Sequence, residues 1–208
     1  MLIFLRHELT FLATPKTGTT AVEMALRPRA EIVFARGRKH ITAQRYHARI
    51  APFLEQTFNA RPETCAVMRD PVTQIRSWYR YRSTAARRGV AEVSTSHMSF
   101  DDFVRAVIAP APPAAARIGS QFAFLTSHEG IPLVDHLFAH DAQPAFRSFL
   151  EERLSGPIEL KQRNVSPEIA ASLSPSVEAE LREARAAEFA LYDRLRAAGG
   201  YLHIPQRG

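Results

Sequence analysis

Residues 9 to 28 constrain the fold more tightly than any other stretch. An apolar run, Leu9 to Thr14, feeds into Pro15-Lys16-Thr17-Gly18-Thr19-Thr20, after which Ala21, Val22, Ala25 and Leu26 fall on one face at helical spacing until Pro28 ends the run. A strand that turns within six residues into a helix reads as half of an α/β layer, with the helix packed back over the sheet. The loop is then left at the sheet's carboxyl edge, at the positive end of the helix dipole, where unpaired backbone N–H groups suit an anion.

The rest of the chain repeats the alternation. Leu2 to Leu5 precedes that unit as a short extended segment, and Ile32 to Ala35 follows it as a strand, so a βαβ unit is the simplest account. Thr42 to Phe58 is expected to be helical with a kink at Pro52. Thr64 to Met68 is a third strand, continuously apolar as buried parallel strands are, and it ends in Arg69-Asp70-Pro71. There Asp70 can cap, and Pro71 open, a helix running through Arg82. Further on, a helix is predicted to start near Ser99, a loop to cover Pro110 to Ala116, a strand Leu133 to Phe138, a helix Ala142 to Leu154 and a last strand Ile158 to Leu160. The longest helical pattern runs from Ser174, as N-cap, to Ala198 before Gly199. With no composition break, the 208 residues are expected to form one α/β domain, residues 1–208, P-loop-like, with a mostly parallel central sheet flanked by helices.

Charge and cysteine content narrow the setting. The formal net charge is +6, carried almost wholly by arginine, so Lys16, one of only three lysines with Lys39 and Lys161, stands out inside its Gly/Thr turn. A basic surplus admits nucleic acid, an anionic membrane face, an anionic polymer or a polyanionic nucleotide as partner, but no nucleic-acid module is recognisable. No apolar segment is long enough to span a bilayer, because Arg6, His7 and Glu8 interrupt Leu2 to Leu5, and no secretory signal is expected. The lone Cys65 cannot form an internal disulfide, so a reducing, cytoplasmic setting is expected.

Within the loop, Gly18 lets the backbone approach an anion, Thr17, Thr19 and Thr20 bring hydroxyl donors, and Lys16 a mobile charge. In the nucleoside-triphosphate P-loop the lysine follows the last glycine; here it precedes Gly18, which argues against ATP held by that motif. A tight turn with a surface lysine needs no ligand, so a second feature decides. Arg69, at a strand's carboxyl end, offers a planar fork to a phosphate, and Ser77 lies near the start of the following helix. Two anion sites imply a two-ended ligand.

Together these residues resemble the sulfotransferases that use 3′-phosphoadenosine 5′-phosphosulfate (PAPS). Pro15 to Thr20 is similar to that family's 5′-phosphosulfate loop, and Arg69-Asp70-Pro71, with Ser77 eight residues after Arg69 and Trp78-Tyr79 beside it, to its 3′-phosphate motif. Gln121 with its apolar run, and Asn164-Val165-Ser166, are closer to the carbohydrate-type branch than to the phenol and steroid branch, whose late Arg-Lys-Gly signature is absent. The likeness covers residues 9 to 82 well and the remainder loosely. It implies sulfuryl transfer from PAPS to an acceptor hydroxyl on a carbohydrate, with release of 3′-phosphoadenosine 5′-phosphate (PAP). It further implies that Lys16 reaches the bridging oxygen, that Lys16 to Thr20, Arg69 and Ser77 bind the nucleotide, and that no metal is required.

Such a displacement rests on positioning and cationic stabilisation, with a base near neutrality for the acceptor's proton. Of eight histidines, His40 is the candidate, because it follows the second strand at the sheet's carboxyl edge and the family places a His or Glu in about that position. His97, His128 and His136 are weaker rivals, His7 precedes the loop-bearing strand, and Glu23 at mid-helix reads as solvated or paired. Lys161 or Arg163 either assists the 3′-phosphate or is solvated. Arg76, Arg80, Arg82, Arg87 and Arg88 either grip an anionic glycan or form a charged helix face, and Phe122, Phe124 and Phe138 read as core. Three other functions stay open: a P-loop-like kinase with Asp70 holding magnesium, which the lysine order and Pro71 oppose, a PAPS- or glycan-binding module with no competent base, and, third, a nucleic-acid binder.

Overall fold

The computed structural model describes residues 1–85, 89–160 and 169–206. Six strands form one sheet in the order β3-β1-β2-β4-β5-β6, with β1 at Leu2–Phe4, β2 at Leu9–Leu12, β3 at Ile32–Val33, β4 at Glu63–Met68, β5 at His136–Ala139 and β6 at Tyr201–His203. The three central strands β2, β4 and β5 are parallel, whereas β1 runs antiparallel to both β2 and β3, and β6 antiparallel to β5. The sheet is therefore mixed, and parallel only at its centre. β2 and β3 do point the same way, but β1 lies between them, so the expected βαβ unit is split by an inserted strand.

Alternation along the strands builds two cores. Leu2, Phe4, Leu9, Phe11, Cys65, Val67 and Phe138 face α1 (Thr19–Leu26) and α7 (Gln143–Arg153) through Val22, Leu26, Phe146 and Leu150. Ile3, Leu12, Ala66, Met68, Leu137 and Ala139 face the other way. They pack under α2 (Ala43–Arg45), α3 (Ala51–Phe58), α6 (Gln121–Leu125) and α9 (Ala186–Ala197). A third apolar cluster joins α4 (Pro71–Ser83), α5 (Phe100–Ile108), α8 (Pro175–Ala184) and Phe189. Phe124 and Phe138 are buried in the two cores on opposite faces of the sheet, as their sequence context suggested, and Phe122 is half-buried against the core that holds Phe124. Among the described residues no helix is long and apolar enough to cross a membrane.

The helix boundaries follow local chemistry. The Asp70 carboxylate accepts the Thr73 N–H at 2.8 Å ahead of Pro71, and Ser99 and Asp102 form a reciprocal capping box on α5. The kink expected at Pro52 is a π-turn over Tyr46–Ile50 just before α3, which absorbs the hydrogen bond that proline cannot donate.

Two expectations fail. Ile158 to Leu160 forms no strand: Ile158 is buried as a core plug, and its N–H donates to the Glu151 carboxylate at 3.0 Å rather than to a neighbouring strand. The sheet's sixth strand is instead Tyr201–His203, after two glycines in the left-handed region. The long helix from Pro175 breaks at Arg185, because Glu188 turns inward to buried partners and Arg185 pairs with it at 3.0 Å.

Candidate functional site

The carboxyl ends of β2, β4 and β5 meet at one edge of the sheet, and the loops leaving them gather the site. Lys16 (φ 66°) and Gly18 (φ 80°) both occupy the left-handed region, and Gly18 is the N-cap of α1. Alternating left-handed residues before a helix turn backbone N–H groups inward into an anion-sized cradle. For glycine that conformation is free; for Lys16 it is strained by roughly 1–2 kcal/mol, the kind of strain that functional loops retain. The buried Thr17 hydroxyl donates to the Thr14 carbonyl at 2.9 Å, so its side chain braces the loop. Thr19 is buried, and Thr20 accepts from Lys39 Nζ at 3.4 Å. Lys39 also pairs with Glu23 at 3.3 Å, so Glu23 is engaged, as the paired reading required.

Helix α4 lies against this loop with a stripe at helical spacing. Gln74 donates to the Pro15 carbonyl at 3.3 Å, and Lys16 Nζ rests 4.2 Å from the Tyr81 ring centroid and 5.6 Å from that of Trp78. Three buried polar side-chain atoms lack a hydrogen-bond partner among the described residues: Thr14 Oγ1, Gln74 Oε1 and Trp78 Nε1. Thr14 immediately precedes the cradle loop, and Gln74 and Trp78 lie on the helix stripe beside it. Buried polar atoms are rarely left unpaired, and their concentration here marks a place for a polar ligand or water.

Arg69 follows β4, the parallel neighbour of β2. Its backbone N–H donates to Gln121 Oε1 at 2.8 Å and its carbonyl accepts from Gln121 Nε2 at 2.8 Å, while Gln121 donates to the buried Glu188 carboxylate. Gln121 thus fixes the backbone from which the Arg69 guanidinium projects. The guanidinium donates to Thr73 Oγ1 at 3.1 Å and has no ion pair among the described residues. Burial lowers its pKa, Asp70 works the other way, and Arg76 and Arg80 add to the lowering. Ser77 lies one turn beyond Thr73 on the same face of α4.

His40 is tied to the same edge: its Nδ1 donates to the Ala13 carbonyl at 2.6 Å. A carbonyl can only accept, so the proton sits on Nδ1 and Nε2 keeps its lone pair. Partial burial is the main cause that lowers its pKa below the ordinary imidazole value, although the residue retains an exposed edge. His136 lies at the opposite, amino edge as the first residue of β5, and His7 precedes β2 on that same side. His97 and His128 are exposed on loops.

Two residues not singled out from the sequence join the site. His140, directly after β5, holds its ring so that a Cβ added to Gly18 would lie 3.9 Å from Nε2. Its ring makes no hydrogen bond among the described residues, and burial, then Arg69, lower its pKa against the opposing Asp141. No local pattern in Ala139-His140-Asp141 announces this. Gln74 was legible in principle, since Gln74, Trp78 and Tyr81 share i, i+4, i+7 spacing. The arginine run divides differently from either expectation: Arg76, Arg80 and Arg82 donate to backbone carbonyls of Ala171, Ile169 and residues 114–117. Arg87, Arg88, Lys161, Arg163 and Asn164 to Ser166 lie outside the described residues. The Asp70 carboxylate, the candidate magnesium-holding acid of a kinase, caps α4 through one oxygen. No family model, no curated protein and no solved structure matches this chain.

Proposed function

We propose that this chain is a sulfotransferase with a P-loop-like cradle, moving a sulfuryl group from PAPS to a carbohydrate hydroxyl in a reducing, cytoplasmic setting. The observation that carries the reading is the pairing of two cationic sites on adjacent parallel strands. One is the left-handed Lys16–Gly18 cradle at the start of α1, and the other is Arg69 above Thr73 and Ser77. The orphaned atoms of Thr14, Gln74 and Trp78 beside the cradle fit a ligand richer in polar groups than a single anion.

PAPS supplies an activated sulfuryl group whose S–O bond to phosphate breaks as the acceptor oxygen bonds to sulfur. The amides of residues 16 to 20 hold the phosphosulfate end and the Arg69 fork, with Ser77, the 3′-phosphate. Lys16 leaves the Tyr81 and Trp78 rings to meet charge building on the leaving oxygen. A cation–π contact of about 0.5–1 kcal/mol at a partly open site yields readily to a charge-assisted hydrogen bond. His40 Nε2 accepts the acceptor's proton, its ring held by Ala13. Tyr81, 44% exposed, gives the mouth of the site an aromatic face on which a sugar can stack.

The test is calorimetric binding of PAP followed by transfer from labelled PAPS to a panel of glycans and small alcohols. Label on a glycan supports the proposal; binding without transfer to any acceptor favours a non-catalytic PAPS-binding module; failure to bind PAP overturns both.

A further inference from the structure

At the opposite edge of the sheet, strand pairing assembles three metal-ligating side chains that lie far apart in sequence. Glu63 begins β4, His136 begins β5, and His203 ends β6 directly across from His136 in the antiparallel register. One donor atom from each lies within 4.8 Å of the other two. We propose that Glu63, His136 and His203 form a binding site for a divalent cation of the zinc class, separate from the anion cradle.

The geometry suits such an ion. Glu63 Oε2 and His136 Nε2 are 3.2 Å apart. Two ligands on a tetrahedral metal with bonds of about 2.0 Å stand roughly 3.3 Å apart. The imidazoles of His136 and His203 stack 4.8 Å apart and within 5° of parallel, and one nitrogen of each lies within 4.8 Å of the other and of a Glu63 oxygen. His203 is exposed, so a rotation of its side chain closes the remaining gap and leaves a fourth position for water. The outer contacts are also in place. Tyr201 Oη lies 3.0 Å from His136 Nδ1, so Nδ1–H donates to the phenol when Nε2 binds metal, as ligating histidines usually require. Arg153 also holds Oε2 of Glu63, which fixes the carboxylate beside His136 Nε2. Two imidazoles and a carboxylate favour zinc, or cobalt and nickel in its place, over magnesium or calcium. The ion would clasp β6, the last strand of the sheet, to β4 and β5.

Tag-free protein titrated with Zn²⁺ by calorimetry, and with Co²⁺ by visible absorption, should bind one equivalent. His203→Ala, at an exposed position that the fold does not need, should weaken Zn²⁺ binding at least about tenfold, and Tyr201→Phe should weaken it by about tenfold while leaving PAP binding unchanged. Absence of stoichiometric binding in the parent, or affinity that survives His203→Ala within tenfold, overturns the proposal.

Discussion

His40 Nδ1 lies 2.6 Å from the carbonyl of Ala13, two residues before the Pro15–Thr20 loop. That single bond sets both the tautomer and the place of the candidate base. His40→Ala should lower transfer by about 10²–10⁴ and leave PAP affinity within about twofold, because the loop's own amides are untouched. The base must be neutral to act, and burial depresses its pKa. The rising limb of kcat/KM should therefore lie below the ordinary imidazole value near 6.5, and be missing from residual His40→Ala activity.

Lys16 separates strain from chemistry. At φ 66° its backbone is paid for by function, so Lys16→Gly should remove the strain and leave the fold as stable or up to ~1 kcal/mol more stable, while Lys16→Ala keeps the strain. Both should lose transfer to the same extent if the ammonium is what matters. Urea midpoints and single-turnover transfer on the two variants check this; a Lys16→Gly protein that is clearly less stable than Lys16→Ala would refute the strain argument.

What the sequence made legible here was local. The strand-loop-helix at 9–26, the Asp70 cap and the Ser99 box each depend on residues within a few positions, and each forms as its pattern indicates. What escaped it was set by pairing across the chain. Nothing in Leu2–Phe4 says that it will insert antiparallel between β2 and β3, and Tyr201–His203 is too short to show a period. The helix break at Arg185 is decided by Glu188 reaching Gln121, 67 residues away. His140 enters the site for the same reason: only the parallel pairing of β4 with β5 brings it beside Arg69.

The Gln121 amide makes three kinds of contact at once, to the Arg69 N–H, the Arg69 carbonyl and Glu188. Gln121→Ala leaves buried backbone groups and one side of a buried carboxylate unpartnered, and should cost roughly 3 kcal/mol in urea unfolding. It should also weaken PAP binding although Gln121 itself points inward. Gln121→Glu, which restores the acceptor for the Arg69 N–H but places a second carboxylate against Glu188, should recover neither stability nor binding.

Arg69 tests the two-ended ligand directly. A guanidinium fork discriminates for the 3′-phosphate, so Arg69→Ala should weaken PAP at least tenfold, about 1.4 kcal/mol, while adenosine 5′-monophosphate binding changes little. Arg69→Lys keeps the charge but not the fork, and should fall between. Equal losses for both nucleotides would mean that Arg69 supports the site's structure and does not read the 3′ end.

His140 is placed to couple proton uptake to anion binding. Its ring lies beside the Gly18 turn, and burial and then Arg69 depress its pKa in the free protein, with Asp141 opposing. A histidine held neutral in the fold but free to protonate when unfolded contributes stability that is present above the unfolded pKa of about 6.5 and lost as pH falls through the depressed folded value. Free protein should therefore lose stability on acidification across that window, and His140→Ala should lose less. A polyanion in the cradle reverses the balance, since it favours the imidazolium. PAP affinity should consequently rise as pH drops from 7.5 towards 6, with uptake of a proton visible as a buffer-dependent binding enthalpy, and both effects should shrink in His140→Ala. Were PAP affinity independent of pH in the parent, the ring would be a bystander to the anion and not one of its partners.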